Sequence, residues 1–272
     1  MSSPYITSSP YIARPGADFT LADRPTRVDL YKDKGAARGA IKDNAKAISA
    51  LAHRLYGEAD RKLLIVLQGM DTSGKDGTTS AIFHRTPPLN VKVASFKSPT
   101  KTELAHDYLW RVHNVMPGKG EITVFNRSHY EDVLVVKVKK YVDAAGIKQR
   151  YQHINDFERL LTETGTTVLK FMLHISPETQ GERLRDRLIN PDKRWKFNPG
   201  DLDDRALWPE FMKAYETMVQ RTSTEHAPWH IIPSDSRKTR GAIISGIVRE
   251  TLEKMDPQYP DPGYRPKDFD IR

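Results

Sequence analysis

The chain has 272 residues, a formal net charge of +8 and no cysteine. A length of this order suits one large α/β domain with small appendages, and the lack of cysteine excludes a disulfide framework and thiolate chemistry, which fits a reducing cytosol. No apolar run reaches the roughly 20 residues of a membrane-spanning helix, the opening Met-Ser-Ser-Pro-Tyr lacks the layout of a secretory leader, and the basic balance favours a polyanionic partner.

Residues 1–35, rich in Pro, Ser and Thr, read as an irregular arm. Ile41, Ala45, Ile48, Leu51, Ala52 and Leu55 recur at helical spacing and predict a helix from Ala36 to Tyr56, stopped at Gly57. The apolar run 62–67 predicts a first strand. It leads through Gln68 into Gly69-Met70-Asp71-Thr72-Ser73-Gly74-Lys75-Asp76, with a helix over 78–84 behind it. Strand, glycine-rich loop, lysine and helix are the setting of a Walker A motif. Gly69 and Gly74 let backbone amides converge on an anion, the helix start adds partial positive charge, and Lys75 supplies a cation for a phosphoryl group. Two positions depart from the usual pattern: Asp76 stands where Ser or Thr normally holds magnesium, and Asp71 puts a carboxylate inside the loop.

Further along, residues 91–96 alternate as a second strand, and Ser98-Pro99-Thr100 opens a helix carrying Leu104, Tyr108, Leu109, Trp110 and Val112. Residues 122–125 form a third strand, while 133–142 suit helix or strand equally. A helix carries Ile154, Phe157, Leu160 and Leu161. Strands at 167–173 and 229–232 alternate with helices from Pro177 to Leu188, over 207–219 and over 242–255. Strands alternating with helices predict a five-stranded parallel sheet covered on both faces, a three-layer α/β fold. The predicted domain spans 36–256, between the arm and an irregular tail at 257–272.

Open parallel sheets bind ligands beyond the carboxyl ends of their strands. The second strand ends in Lys97, either a phosphate ligand or a solvated lysine. The third ends in Asn126-Arg127-Ser128-His129-Tyr130-Glu131-Asp132. Arg127 can hold phosphate oxygens bidentately, and Glu131 and Asp132 suit magnesium, directly or through water. His129 reads as structural. After the fourth strand, Arg183 and Arg187 share a helix face, and Lys193, Arg194 and Lys196 follow between the aromatic Trp195 and Phe197. This basic stretch reads as a lid closing over phosphates, or as a nucleic-acid patch with stacking platforms. In-line positioning, magnesium and cations are what phosphoryl transfer needs, so the residues point to that chemistry.

Gly-Met-Asp-Thr-Ser-Gly-Lys-Asp-Gly-Thr, Phe-Asn-Arg-Ser-His-Tyr-Glu-Asp-Val-Leu-Val and Arg-Leu-Ile-Asn-Pro-Asp-Lys-Arg-Trp-Lys-Phe, in this order, resemble the polyphosphate kinase 2 family over about residues 25–255. The resemblance implies a P-loop kinase fold similar to thymidylate kinase, with a helical lid at about 183–215. It also implies transfer of phosphate between inorganic polyphosphate and nucleotides with Mg2+, or Mn2+ in its place. Asp71 would bind the metal and orient the acceptor, Lys75 would grip the transferring phosphate, and Arg127 would bridge donor and acceptor. Gly69, Thr72, Ser73, Gly74, Lys75 and Asp76 would cradle polyphosphate, with Arg183, Arg187, Lys193, Arg194 and Lys196 lining its channel. Lys97, Asn126, Arg127 and Glu131 would hold the acceptor nucleotide. Asn126, Glu131 and Asp76 resemble the subgroup acting on both AMP and ADP, so AMP, ADP and ATP are expected ligands, with GMP and GDP left open. The family resemblance further implies a cytoplasmic homo-oligomer, dimer or tetramer, without nucleic-acid or membrane partners. An ATP-dependent nucleoside monophosphate kinase and a nucleic-acid-stimulated NTPase are the competing readings.

Overall fold

The computed structural model describes residues 9–14 and 19–271. In chain order the elements are strand β1 (Ile12–Ala13), helix α1 (Lys34–Glu58), β2 (Lys62–Gln68), α2 (Lys75–Phe83), β3 (Val91–Ser95), α3 (Lys101–Leu104), α4 (Trp110–His113), β4 (Ile122–Asn126), α5 (Val135–Val138), α6 (Ala144–Glu163), β5 (Thr166–His174), α7 (Pro177–Ile189), α8 (Pro191–Arg194), α9 (Gly200–Ala206), α10 (Trp208–Thr222), β6 (Trp229–Pro233) and α11 (Arg237–Met255). The sheet order is β1-β6-β5-β2-β4-β3. The five long strands are parallel, as expected, and β2 lies at the centre between β4 and β5.

Every residue of β2 after Lys62 is buried, as a central parallel strand with both faces covered requires. Leu63, Ile65 and Leu67 pack with Ile48, Ala52 and Leu55 of α1, Ile82 of α2 and Ile244 and Val248 of α11. Leu64 and Val66 point the other way, into a core with Ile154 and Phe157 of α6 and Phe211, Tyr215 and Met218 of α10. Each fully buried Leu or Ile contributes roughly 1.5–3 kcal/mol, so the two layers fix the sheet that carries the loops. Helix α1 starts where Asp33 Oδ1 accepts from the Gly35 and Ala36 amides, at 2.6 and 2.9 Å, a side-chain N-cap.

Two expectations need correction, and one open choice is resolved. The arm is not wholly irregular: Ile12–Ala13 adds a sixth strand, antiparallel to β6, while residues 1–8 and 15–18 of that arm lie outside the described residues. The helix expected from Ser98 to Val112 is two single turns. Asp107 breaks it by accepting the Leu109 amide on its own side chain at 2.9 Å, the local bond with which Asp competes against helix. Within 133–142, left open between helix and strand, the chain forms the short helix α5, and Lys140 just beyond it sits in the left-handed region at φ 57°. Among the described residues, no helix is long and apolar enough to cross a membrane.

One buried ion pair ties the sheet to the β4 tip. Lys170 in mid-β5 and Glu158 on α6 are both inaccessible and lie 2.5 Å apart. Lys170 Nζ also donates to Tyr130 Oη at 2.8 Å and to the Thr222 carbonyl at 2.7 Å. Its ammonium lies against the rings of Tyr130 and Trp229, at 5.3 and 5.2 Å. Glu158 accepts in turn from Tyr130 Oη at 2.7 Å and meets His129 Nε2 at 3.3 Å. Removing one partner of such a pair strands the other charge, at a cost of about 3–5 kcal/mol. Glu158→Ala should therefore lower the thermal midpoint sharply, whereas Glu158→Gln keeps hydrogen-bond acceptance and loses less. An unchanged midpoint in Glu158→Ala, read by thermal denaturation, would show that the pair contributes nothing.

Candidate active site

The loop after β2 and the tip of β4 meet because β2 and β4 are sheet neighbours, with Leu67 in register with Asn126. The loop turns back at once. Gly69 sits at φ 147°, where a Cβ would meet the Leu173 carbonyl at 2.7 Å, and Gly74 sits at φ 105° against the Arg240 guanidinium. Gly74 is also the N-cap of α2, with no side-chain cap bond, which leaves the first amides of that helix open to an anion. The hydroxyls of Thr72 and Ser73 are buried without a partner, two further donors converging on the same loop.

Arg127 projects from β4 into this loop. Its guanidinium donates to Asp71 Oδ1 at 2.5 Å. Arg127 and Thr72 are both non-glycine residues in the left-handed region, at φ 61° and 63°, a conformation that costs of order 1–3 kcal/mol and concentrates at functional sites. Lys75 is buried, and its ammonium donates to the Gly69 and Met70 carbonyls at 2.7 and 3.3 Å. Burial lowers the Lys75 pKa, while Asp71 acts against that shift. For Asp71, burial acts upward, but Lys75 and Arg127 outweigh it and hold the carboxyl below its ordinary range. Burial raises the Glu131 carboxyl, against the pull of Arg127 and Lys75. Asp71 is thus an ionised carboxylate beside two cations, whereas the Glu131 carboxyl is shifted in the opposite direction.

Asp71, Arg127 and Glu131 line one narrow cleft together with Gly69 and with Phe211 and Tyr215 of α10. Asp76 and Asn126 stand beside it, joined by a 2.6 Å bond from Asn126 Nδ2 to Asp76 Oδ1. The basic stretch after β5 reaches the same place. Lys196 Nζ lies 3.5 Å from Asp76 Oδ2, and Arg187 donates to the Lys196 carbonyl at 3.4 Å and to Asp201 Oδ2 at 3.1 Å.

Other expected residues are placed differently. Arg183 is buried beneath the loop, donating to the carbonyls of Thr72, Ser73, Ser234 and Asp235 at 2.8 to 3.2 Å. Lys193 pairs with Asp186 at 2.7 Å, and Arg194 donates to the Leu188 carbonyl at 3.2 Å. Lys97 is exposed at the β3 end. Asp132, read from sequence as suited to magnesium, is buried and turned to Arg150 at 3.2 Å and Arg111 at 3.8 Å, so its charge is balanced there.

Several supporting residues escaped the sequence reading. Gln68 donates to Ser128 Oγ at 3.0 Å, fixing the start of the segment that carries Glu131. A lone amide closing an apolar strand was the available signal. Arg240 of α11 donates to the Ser73 carbonyl at 2.8 Å and to Thr78 Oγ1 at 3.0 Å. Burial, with Arg183 and Arg237 nearby, pushes its pKa down to about 9. Nothing in the local sequence marks it. Asp201 was also missed.

Among the described residues, no three His, Cys, Asp or Glu side chains form a self-contained metal cage. Magnesium is usually held by one or two carboxylates plus substrate phosphates. The ionised oxygens of Asp71 and Asp76 beside open phosphate-loop donors fit that mode.

The family profile described as polyphosphate kinase 2 matches residues 31–260. The chain belongs to the polyphosphate kinase 2 family. It is 52% identical over 229 residues to an AMP/ADP-polyphosphate phosphotransferase of Meiothermus ruber, covering 84% of this chain and 86% of that protein. It is 35% identical over 259 residues to an ADP-polyphosphate phosphotransferase of Rhodopseudomonas palustris, covering 90% of each. The crystal structure of polyphosphate kinase 2 from Arthrobacter aurescens TC1 superposes with a TM-score of 0.90 at 36% identity, over 94% of this chain and 92% of that one. The family match runs through the basic stretch after β5, and the kinase fold expected from sequence is the family's own.

Burial and the neighbouring Asp71 carboxylate push the Asp201 carboxyl up to about 6, against the pull of Arg187. A carboxyl raised on folding stabilises fully below its unfolded value near 4 and loses that contribution as pH rises through about 6. Asp201→Asn should therefore gain thermal midpoint over the parent at about pH 7.5 and little at about pH 4. Equal shifts at the two pH values would contradict this.

Proposed function

We propose that this protein transfers the terminal phosphate of inorganic polyphosphate to AMP and ADP, reversibly, forming ADP and ATP. The observation that carries the reading is the Asp71–Arg127 pair at 2.5 Å across the phosphate loop, in a chain of this family. Amides of the Gly69–Gly74 loop and of the first turn of α2 hold the donor chain. Lys75 follows the phosphoryl group, and Arg127 contacts oxygens on both sides of the moving phosphorus, as its planar fork permits. Glu131, one turn beyond and opposite Tyr215, bounds the acceptor side. The basic face of the lid, with Arg187 and Lys196, guides further phosphates and excludes water on closing. Arg183 and Arg240 act from beneath: both guanidinium groups engage the Ser73 carbonyl, which locks the peptide whose amide belongs to Gly74. Magnesium, when bound, neutralises charge on the phosphates, and Asp71 is the ligand proposed for it.

The acceptor panel tests this directly. AMP, ADP, GMP and GDP are each incubated with polyphosphate and Mg2+, and with ATP as the alternative donor, and products are separated by chromatography. ADP and ATP formed from AMP with polyphosphate are expected; transfer to AMP only from ATP would establish a nucleoside monophosphate kinase instead. Lys75→Ala and Arg127→Ala should each lower turnover by about 100-fold or more, the scale of losing a group that stabilises transition-state charge, with circular dichroism unchanged. Asp71→Asn should lose most at limiting Mg2+. A magnesium dependence identical to the parent's would remove Asp71 from that role.

A further inference from the structure

In phosphate-loop enzymes the residue after the loop lysine is a Ser or Thr, the strand-tip residue is an Asp, and both serve the magnesium ion. Here both positions differ at once. The helix carries Asp76, the strand tip carries Asn126, and the two are bonded to each other at 2.6 Å. The carboxylate and its neutral partner have exchanged elements, and the bond between α2 and β4 is kept. The amide nitrogen must face Asp76, since its oxygen would repel the carboxylate. One oxygen of Asp76 is thereby held in place, and the other looks outward.

That second oxygen meets Lys196 of the stretch after β5. Lys196 Nζ lies 3.5 Å from it, and the Asp76 side chain is 65% exposed. A half-solvated pair between a long lysine and an aspartate is weak, about 0–1 kcal/mol, so a divalent ion together with phosphate oxygens displaces it readily. Both Asp76 and Asp71 act electrostatically on the Lys75 ammonium.

We propose that Asp76 has taken over the strand tip's duty as a carboxylate ligand of the divalent ion, with Asn126 fixing its orientation and Lys196 covering the position until the ion arrives. This rests on the reading of the loop as a magnesium-phosphate site. It assigns the metal two carboxylates, Asp71 from the loop and Asp76 from the helix, the usual number for Mg2+ completed by phosphates.

Binding of Mn2+ to the full chain, followed by electron paramagnetic resonance with saturating AMP, tests this without reference to turnover. Asp76→Asn and Asp76→Ser are expected to weaken Mn2+ binding about tenfold or more, at least the loss seen when a metal site's supporting residue is removed. The double variant Asp76→Ser/Asn126→Asp restores the usual arrangement and should recover most of the affinity. Parental binding in Asp76→Asn alongside a loss in Asp71→Asn would overturn this inference and leave the site reading standing. Parental binding in both would overturn the magnesium reading as well. A double variant no better than Asp76→Ser would refute the exchange of roles.

Discussion

The ion pair between Asp71 and Arg127 is the contact on which the rest of the site depends. It joins a loop leaving the central strand to the tip of the strand beside it, and both partners sit next to or within left-handed backbone. Such backbone persists only when its surroundings over-determine it, and here they do. Gln68 holds Ser128, Tyr130 and His129 are bonded to Glu158, and Arg183 and Arg240 clamp the loop's carbonyls. The fully buried Lys170–Glu158 pair is therefore more than a core curiosity: it anchors the two residues that follow Ser128 and so aims Arg127.

The charge distribution has one direction. Arg183 and Arg240 are buried beneath the phosphate loop and engage backbone oxygens. Burying a guanidinium without an ion partner costs free energy. On the proposed function, a chain of phosphates bound above the loop would supply compensating charge. The cations of the stretch after β5 behave differently. Arg187 is held by Asp201, Lys193 by Asp186 and Lys196 by Asp76, so on the proposed function an entering polyphosphate would exchange carboxylates for phosphates instead of meeting bare cations.

Much of this was legible in sequence because the informative residues are contiguous. The apolar run before Gly69 and the glycine-lysine loop specify strand, turn and helix, and the strand-tip rule places Arg127 beside them. What stayed hidden depends on contacts distant in sequence. Arg240 lies more than 160 residues from the loop it braces, and a helical arginine looks the same whether it faces solvent or a carbonyl. Arg183 shows the converse: a basic helix face suggested a polyphosphate ligand, but one residue of that face points inward. Asp107 ended a helix through a side-chain bond that apolar periodicity does not register, and a two-residue strand such as Ile12–Ala13 is shorter than any periodicity.

The most direct measurement is a double-mutant cycle on kcat/KM for polyphosphate with Asp71→Asn, Arg127→Lys and the pair. Residues in contact within one network couple by about 0.5–3 kcal/mol, while independent sites add within about 0.5 kcal/mol. If Asp71 and Arg127 act as one device, their losses should fall short of additive by more than about 1 kcal/mol. Strictly additive losses would show that the two residues serve separate purposes and that their contact organises nothing.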